Sequence, residues 1–211
     1  SHTLCAVDDC PVLSSGLGAE IGRVNAGLQA PDGVSHPGSS SEWELVIDAD
    51  GRARSTPLPV ESPSDSGHSS WVSRFEVGGR SLRVSPGSFV QANGPMHETL
   101  FHSVLKEAGE GERALELHAG AGFFTLGLVE RFRHLDVVEA SPSAVADLRF
   151  NLAGLHSGNL RIRAGSADSL VPDRLEPFPD CVVMDPPRVG LSLPLLEGIA
   201  SLNPSRIVYL S

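Results

Sequence analysis

The 211 residues are 40% hydrophobic, carry a formal net charge of −10 and have a mean hydropathy of −0.01, which is enough chain for a real core in one or two domains. No apolar run approaches the roughly 18 residues of a membrane helix, and the start, SHTLCAVDDCPVL, lacks the charged and apolar regions of a signal peptide, so a cytoplasmic protein without a membrane partner is expected. The acidic balance argues mildly against nucleic acid, because phosphate binding relies on basic patches, although whole-chain charge does not locate a patch.

In chain order, residues 1–87 read as a small antiparallel β-rich domain, abundant in Gly, Ser and Pro. Glu42–Asp48 (EWELVID) alternates as a half-buried strand should, Asp50-Gly51 signals a turn, and Arg52–Ser55 returns as the partner strand. A second hairpin follows from Trp71–Val77 (WVSRFEV), Gly78-Gly79 and Arg80–Val84 (RSLRV). The stretches 31–41 and 56–70 read as long solvated loops. Residues 88–211 then alternate helix and strand. The expected elements are helix 95–107, strand 113–118, helix 123–132, strand 134–139, helix 142–154, strands 160–164 and 180–185, helix 191–201 and strand 206–210. Such alternation implies right-handed crossovers and a doubly wound parallel sheet with helices on both faces, an α/β fold. The last strand ends with the chain at Ser211, where a doubly wound sheet normally continues, so an incomplete second domain is expected.

The richest stretch is Ala114–Thr125, ALELHAGAGFFT. A buried strand runs into a glycine turn at Gly120 and Gly122 and then into a helix. At the carboxyl edge of a parallel sheet such a turn borders a nucleotide site, because glycine permits close approach and the helix start offers free N–H groups. Glu139 closes the next strand about 20 residues on, where an acid accepts hydrogen bonds from ribose hydroxyls. Ser166, Ala167 and Asp168 follow the third strand, where either an adenine or a polar helix cap belongs. Asp185-Pro186-Pro187-Arg188 ends the fourth; its prolines fix an extended turn that holds Asp185 above the same crevice. A third glycine and a Walker lysine are missing, which disfavours NAD and ATP. S-adenosylmethionine, with a ribose and no phosphates, is the remaining choice.

These residues carry a resemblance. Residues 81–211 resemble the RNA (uracil-5-)-methyltransferase family, whose members form 5-methyluridine in transfer and ribosomal RNA. The matching pieces are Ser88-Phe89-Val90-Gln91-Ala92-Asn93, LELHAGAG, Glu139, Asn151 in RFNLAG, DPPRVG at 185–190 and PSRIVYLS at the end. The fold implied is the Rossmann-like class I methyltransferase fold. The cofactor implied is S-adenosylmethionine, touched by Gln91, His118, Gly120, Gly122, Phe123, Glu139 and Asp185. Ala119 stands where the family commonly has cysteine, Phe123 where it has a polar residue, and His118 replaces a usual aromatic. The implied partner is RNA, bound by a monomer.

The resemblance also implies the chemistry. Uracil C5 is a weak nucleophile, so a cysteine thiolate adds at C6 to activate it, and a carboxylate base later removes the C5 proton. In the family that cysteine follows the serine matching Ser211, so no catalytic residue is expected within the 211 residues and the chain alone should not complete the reaction. The three cysteines, Cys5, Cys10 and Cys181, form no metal spacing by themselves, and the odd count fits a reducing compartment. Cys181 sits in an apolar strand as a core residue. Asp9-Cys10-Pro11 resembles the segment that carries the fourth ligand of an iron–sulfur cluster in some members, and such clusters take four cysteines. A cluster is therefore an expectation for a longer protein and not for these residues. Competing readings are an amino-group methyltransferase of adenine or cytosine, against which Arg188 stands in place of an aromatic, a nicotinamide-dependent oxidoreductase, and a non-catalytic cofactor- or RNA-binding module.

Overall fold

The computed structural model describes residues 14–28, 42–48, 50–58, 72–155, 160–170 and 178–210. The chain divides into two compact units, Ser1–Phe75 with Ser85–Gly87 and Glu76–Val84 with Ser88–Ser211. Among the described residues no helix is long and apolar enough to cross a membrane.

In the first unit a helix absent from the sequence reading, α1 (Ser15–Leu28), lies beside strands β1 (Glu42–Ile47) and β2 (Ala53–Leu58). Gly16, Gly18 and Gly22 lower its helical propensity and no acid occupies its first turn, so tertiary contacts hold it. A Cβ on Gly16 would stand 3.1 Å from Ile47 Cδ1. The buried Glu20 accepts from Arg23 and, at 2.5 Å, from Ser55 Oγ on β2. The two strands pair antiparallel from Glu42 opposite Leu58 to Ile47 opposite Ala53. Asp48 builds the expected turn by accepting from the N–H groups of Asp50 and Arg52 at 3.1 and 2.9 Å. β2 runs three residues further than its sequence suggested, so 56–58 belong to the sheet; the remaining loop residues lie outside those described.

The second hairpin joins β3 (Ser73–Val77) and β4 (Arg80–Val84) through Gly78 and Gly79, both at positive φ, as a type I′ turn requires. A Cβ on Gly78 would stand 2.5 Å from the Phe101 ring, and its N–H donates to Glu98 Oε1 at 2.8 Å. That contact joins the turn to α2 (His97–Ala108), which begins after a 3-10 turn at Gly94–Met96 rather than at Pro95.

The main sheet is parallel, with β5 (Gly111–Leu117) at its centre. β6 (Phe132–Glu139) and β7 (Leu160–Ala164) lie to one side, and β8 (Cys181–Met184) and β9 (Arg206–Tyr209) to the other. The order β7-β6-β5-β8-β9 reverses direction at β5, which opens a crevice beyond the carboxyl ends of β5 and β8. One face buries Leu115, Leu117, Val138, Val182 and Met184 against Leu195 and Ile199 of α6 (Leu193–Ser201) and Ala167 of α5 (Ala167–Leu170). α3 (Thr125–Arg131) and α4 (Pro142–Asn151) also pack on the sheet, and α3 meets α2 so closely that a Cβ on Gly127 would stand 2.3 Å from Leu105 Cδ1. Ser141 and Ser192 cap α4 and α6 by accepting from Ala144 and Leu195, with proline in the first turn of each helix. The expected helix 123–132 is shorter because Phe123 and Phe124 remain in the turn, and Phe132 opens β6.

Candidate functional site

At the end of β5 the chain leaves the strand at His118, whose φ of 59° is left-handed, and passes through Gly120 (57°) and Gly122 (98°). Space as well as torsion selects these two glycines. A Cβ on Gly120 would lie 3.1 Å from the carbonyl oxygen of Phe89, and one on Gly122 would lie 2.7 Å from Leu148 Cδ1 of α4. The turn is thus wedged between the segment carrying Gln91 and the helix after β6, so internal packing adds to turn geometry and ligand approach as a reason for glycine here.

Glu139, at the end of β6, accepts from the Gly120 N–H at 2.8 Å and from the Ser141 N–H at 2.7 Å, one on each carboxylate oxygen. It therefore ties two strand ends together while each oxygen keeps a lone pair for a ligand. Gln91 donates its amide to Asp185, and the Gln91 carbonyl meets Nε2 of the buried His97 at 2.7 Å. Burial pushes the Asp185 carboxyl up from the usual range, and the Gln91 hydrogen bond and the His118 charge pull it back. His118 is drawn below its ordinary value by desolvation first, against the opposing pull of Glu139, Asp168 and Asp185. These carboxylates stand at or after the ends of three different strands, and each acts electrostatically on the one imidazole.

Beside His118 a cavity of about 340 Å³ is lined by Asp168, Pro187, Gly190, Leu191, Ser192 and Leu195, among others. Its lining combines the apolar side chains of Pro187, Leu191 and Leu195 with the polar ones of His118, Asp168 and Ser192. Asp168 accepts from Ser192 Oγ, which holds its carboxyl below the usual range, and from Ser166 Oγ at 3.3 Å. Phe123 follows Gly122 in the turn and packs against the helix α2. Its ring is 5% exposed and meets His97, Phe101 and Phe124 edge-on at 5.2, 6.1 and 4.9 Å. That side chain belongs to an aromatic cluster with two residues of α2.

Several residues support the site without a role that the sequence assigned to them. Asn151 donates to the carbonyls of Arg83 and Ala121, both at 2.8 Å, and accepts from the Arg83 N–H at 2.9 Å. It thereby fixes the glycine turn to the hairpin. The fully buried Asp147 accepts from Ser88 Oγ at 2.8 Å, anchoring the strip that leads to Gln91. Glu116, next to the last residue of β5, is 2% exposed and accepts from Thr125 Oγ1 at 2.6 Å. Burial pushes its carboxyl up to about 8, with Asp185 and Glu139 adding to the rise. In the sequence Glu116 is one polar residue in ALEL; the signal for it is the threonine nine positions on, at the start of α3. Cys181 is buried with its thiol pushed up to about 11 by desolvation, so it is a core residue. Cys10 lies outside the described residues, and among those described no group of three or more His, Cys, Asp or Glu is placed to hold a metal ion.

The strand order and the crevice at its reversal define the Rossmann-like fold of the class I methyltransferases, preceded by small antiparallel sheets. The chain belongs to the tRNA (uracil-5-)-methyltransferase family, whose pattern matches residues 68–211. It is 27% identical to an uncharacterized RNA methyltransferase of Streptomyces avermitilis, over all of this chain and 52% of that protein. It is 30% identical to the 23S rRNA (uracil(1939)-C(5))-methyltransferase RlmD of Aeromonas hydrophila, over all of this chain and 54% of that one. The chain thus spans about half the length of these two relatives. Among solved structures, the Pyrococcus abyssi tRNA (uracil-54, C5)-methyltransferase in complex with S-adenosyl-L-homocysteine aligns with a TM-score of 0.55 at 24% identity. That alignment covers 65% of this chain and 34% of the other, and it speaks for the fold.

Proposed function

We propose that these residues form the methyl-donor site of an S-adenosylmethionine-dependent RNA methyltransferase acting at C5 of uridine in ribosomal or transfer RNA. The observation that carries this reading is the strand-end cluster in which Glu139 closes the glycine turn and Gln91 holds Asp185, with His118 under the field of both carboxylates. The donor set suits a nucleoside with a cationic end and no phosphates. Glu139 has lone pairs for two ribose hydroxyls, Gln91 and Asp185 offer polar atoms to the amino-acid end, and the cavity bounded by His118, Asp168 and Leu195 fits a flat base. The orphaned Nε2 of His118 and the two glycine positions are consistent with a site built around a ligand.

When bound, S-adenosylmethionine supplies an electrophilic methyl on its sulfonium. The chain's own contribution is to orient that donor, with Asp185 held by Gln91 and Glu139 held by the turn. Activation of uracil by thiolate addition at C6 belongs to this proposal as the family's chemistry, and Cys181 is not the thiolate. A buried thiol titrating at about 11 is neither ionised near neutral pH nor within reach of RNA. The nucleophile is assigned outside the described residues, together with any cluster involving Cys10.

Two measurements test the reading. Calorimetric titration should show S-adenosylhomocysteine bound by this chain, and the absence of binding would remove the cofactor assignment. Methylation of RNA carrying tritium at uridine C5 should release tritium in step with methyl incorporation by the protein that contains this chain. Incorporation without release would place the methyl on another atom and support the amino-group alternative.

A further inference from the structure

His118 is the least settled polar group of the crevice. Its Nε2 is buried and makes no hydrogen bond, while the ring itself lines the cavity beside Asp168 and Ser192. An imidazole nitrogen left unpaired in the interior is unfavourable in either tautomer. The residue is also held at φ 59°, in the left-handed region, where histidine is more readily accommodated than bulkier side chains.

The charges that act on it are all negative: Glu139 from the end of β6, Asp168 from α5 and Asp185 from the loop after β8. Arg188 in that loop and Glu197 on α6 are exposed on the neighbouring elements. Against this attraction stands burial, which is the larger influence and keeps the ring neutral near pH 7. A ligand in the cavity would cover the ring further and strip its remaining water. It would also engage Glu139 and Asp185, whose pull on an imidazolium is then shared with the ligand. Both changes disfavour the charged ring.

We propose that His118 makes occupancy of this site proton-linked, so that the adenosyl ligand binds against the neutral imidazole and protonation of His118 weakens binding. The inference rests on the reading of the crevice as an S-adenosylmethionine site. By linkage, a ligand that lowers the proton affinity of a group is itself bound less tightly once that group is protonated.

The test is calorimetric titration of the chain with S-adenosylhomocysteine from pH 5.5 to 8. The Kd should rise as the pH falls from 7.5 to 5.5, toward the ceiling of about tenfold that a shift of about one pKa unit on binding sets. His118→Asn and His118→Phe should bind with an affinity that is flat over the same range. Asparagine tolerates the left-handed backbone, so it supplies a folded comparison even where phenylalanine does not. A slope that persists in the variants would assign the protons to Asp168 or Asp185 and overturn the proposal. Tight binding with a flat profile in the native chain would overturn it while leaving the cofactor reading intact. No binding at any pH would overturn both.

Discussion

Glu116 and Glu139, near the carboxyl ends of the neighbouring strands β5 and β6, show how differently two carboxylates behave in one sheet. Glu139 is held by two backbone N–H groups and stays available at the crevice. Replacing Glu139 or Asp185 with alanine should weaken S-adenosylhomocysteine binding by about tenfold or more, the scale of one lost hydrogen bond to a charged group. Unchanged affinity in both variants would defeat the site assignment. Glu116 is enclosed, and its ionised form is disfavoured up to about pH 8. Between the ordinary carboxylate value and that point the folded chain holds a proton that the unfolded chain has released. The contribution to stability is therefore full below about pH 4.5 and is lost as pH rises toward 8. Melting temperatures of the native chain should carry this downward component from pH 5 to 8, and Glu116→Gln should remove it and gain stability at pH 8. An identical pH profile in both proteins would show that Glu116 is not protonated in the fold.

At the scale of elements, glycines that look alike in sequence do opposite things. Gly122 and Gly127 are pressed against Leu148 and Leu105, so alanine at either should cost about 1–3 kcal/mol through overpacking, with positive φ adding strain at Gly122. Gly18 and Gly22 of α1 have open space where a Cβ would stand, and alanine there should stabilise the helix by about 0.5–1 kcal/mol. Denaturant unfolding of the four variants checks both signs. This division explains why α1 escaped the sequence reading: four glycines weaken its local signal, and its hold comes from Ile47 and Ser55, residues distant in the chain. The starts of α4 and α6 rest on local chemistry, with cap acceptor and backbone donor three residues apart at Ser141 and Ser192, although the spacing alone carries the second helix back to 191.

For the molecule as a whole, the parallel sheet with its reversal at β5 places the ends of β5, β6, β7 and β8 along one edge. A ligand there binds only the folded chain, so S-adenosylhomocysteine at a hundred times its Kd should stabilise the protein by about 2.7 kcal/mol and raise its melting temperature. An unmoved transition would argue against a site at this edge. The sequence by itself determined the alternation of strands and helices, the glycine turn, and which acids end strands, because periodicity, turn chemistry and capping act over a few neighbouring residues. It placed Gln91 and Asp185 as separate motifs 94 positions apart; only the tertiary structure joined them by a hydrogen bond. The same holds for the three carboxylates around His118, the burial of Glu116 and the inward packing of Phe123. Solvent exclusion and electrostatic environment depend on what the rest of the fold brings alongside, and no local pattern in the chain encodes them.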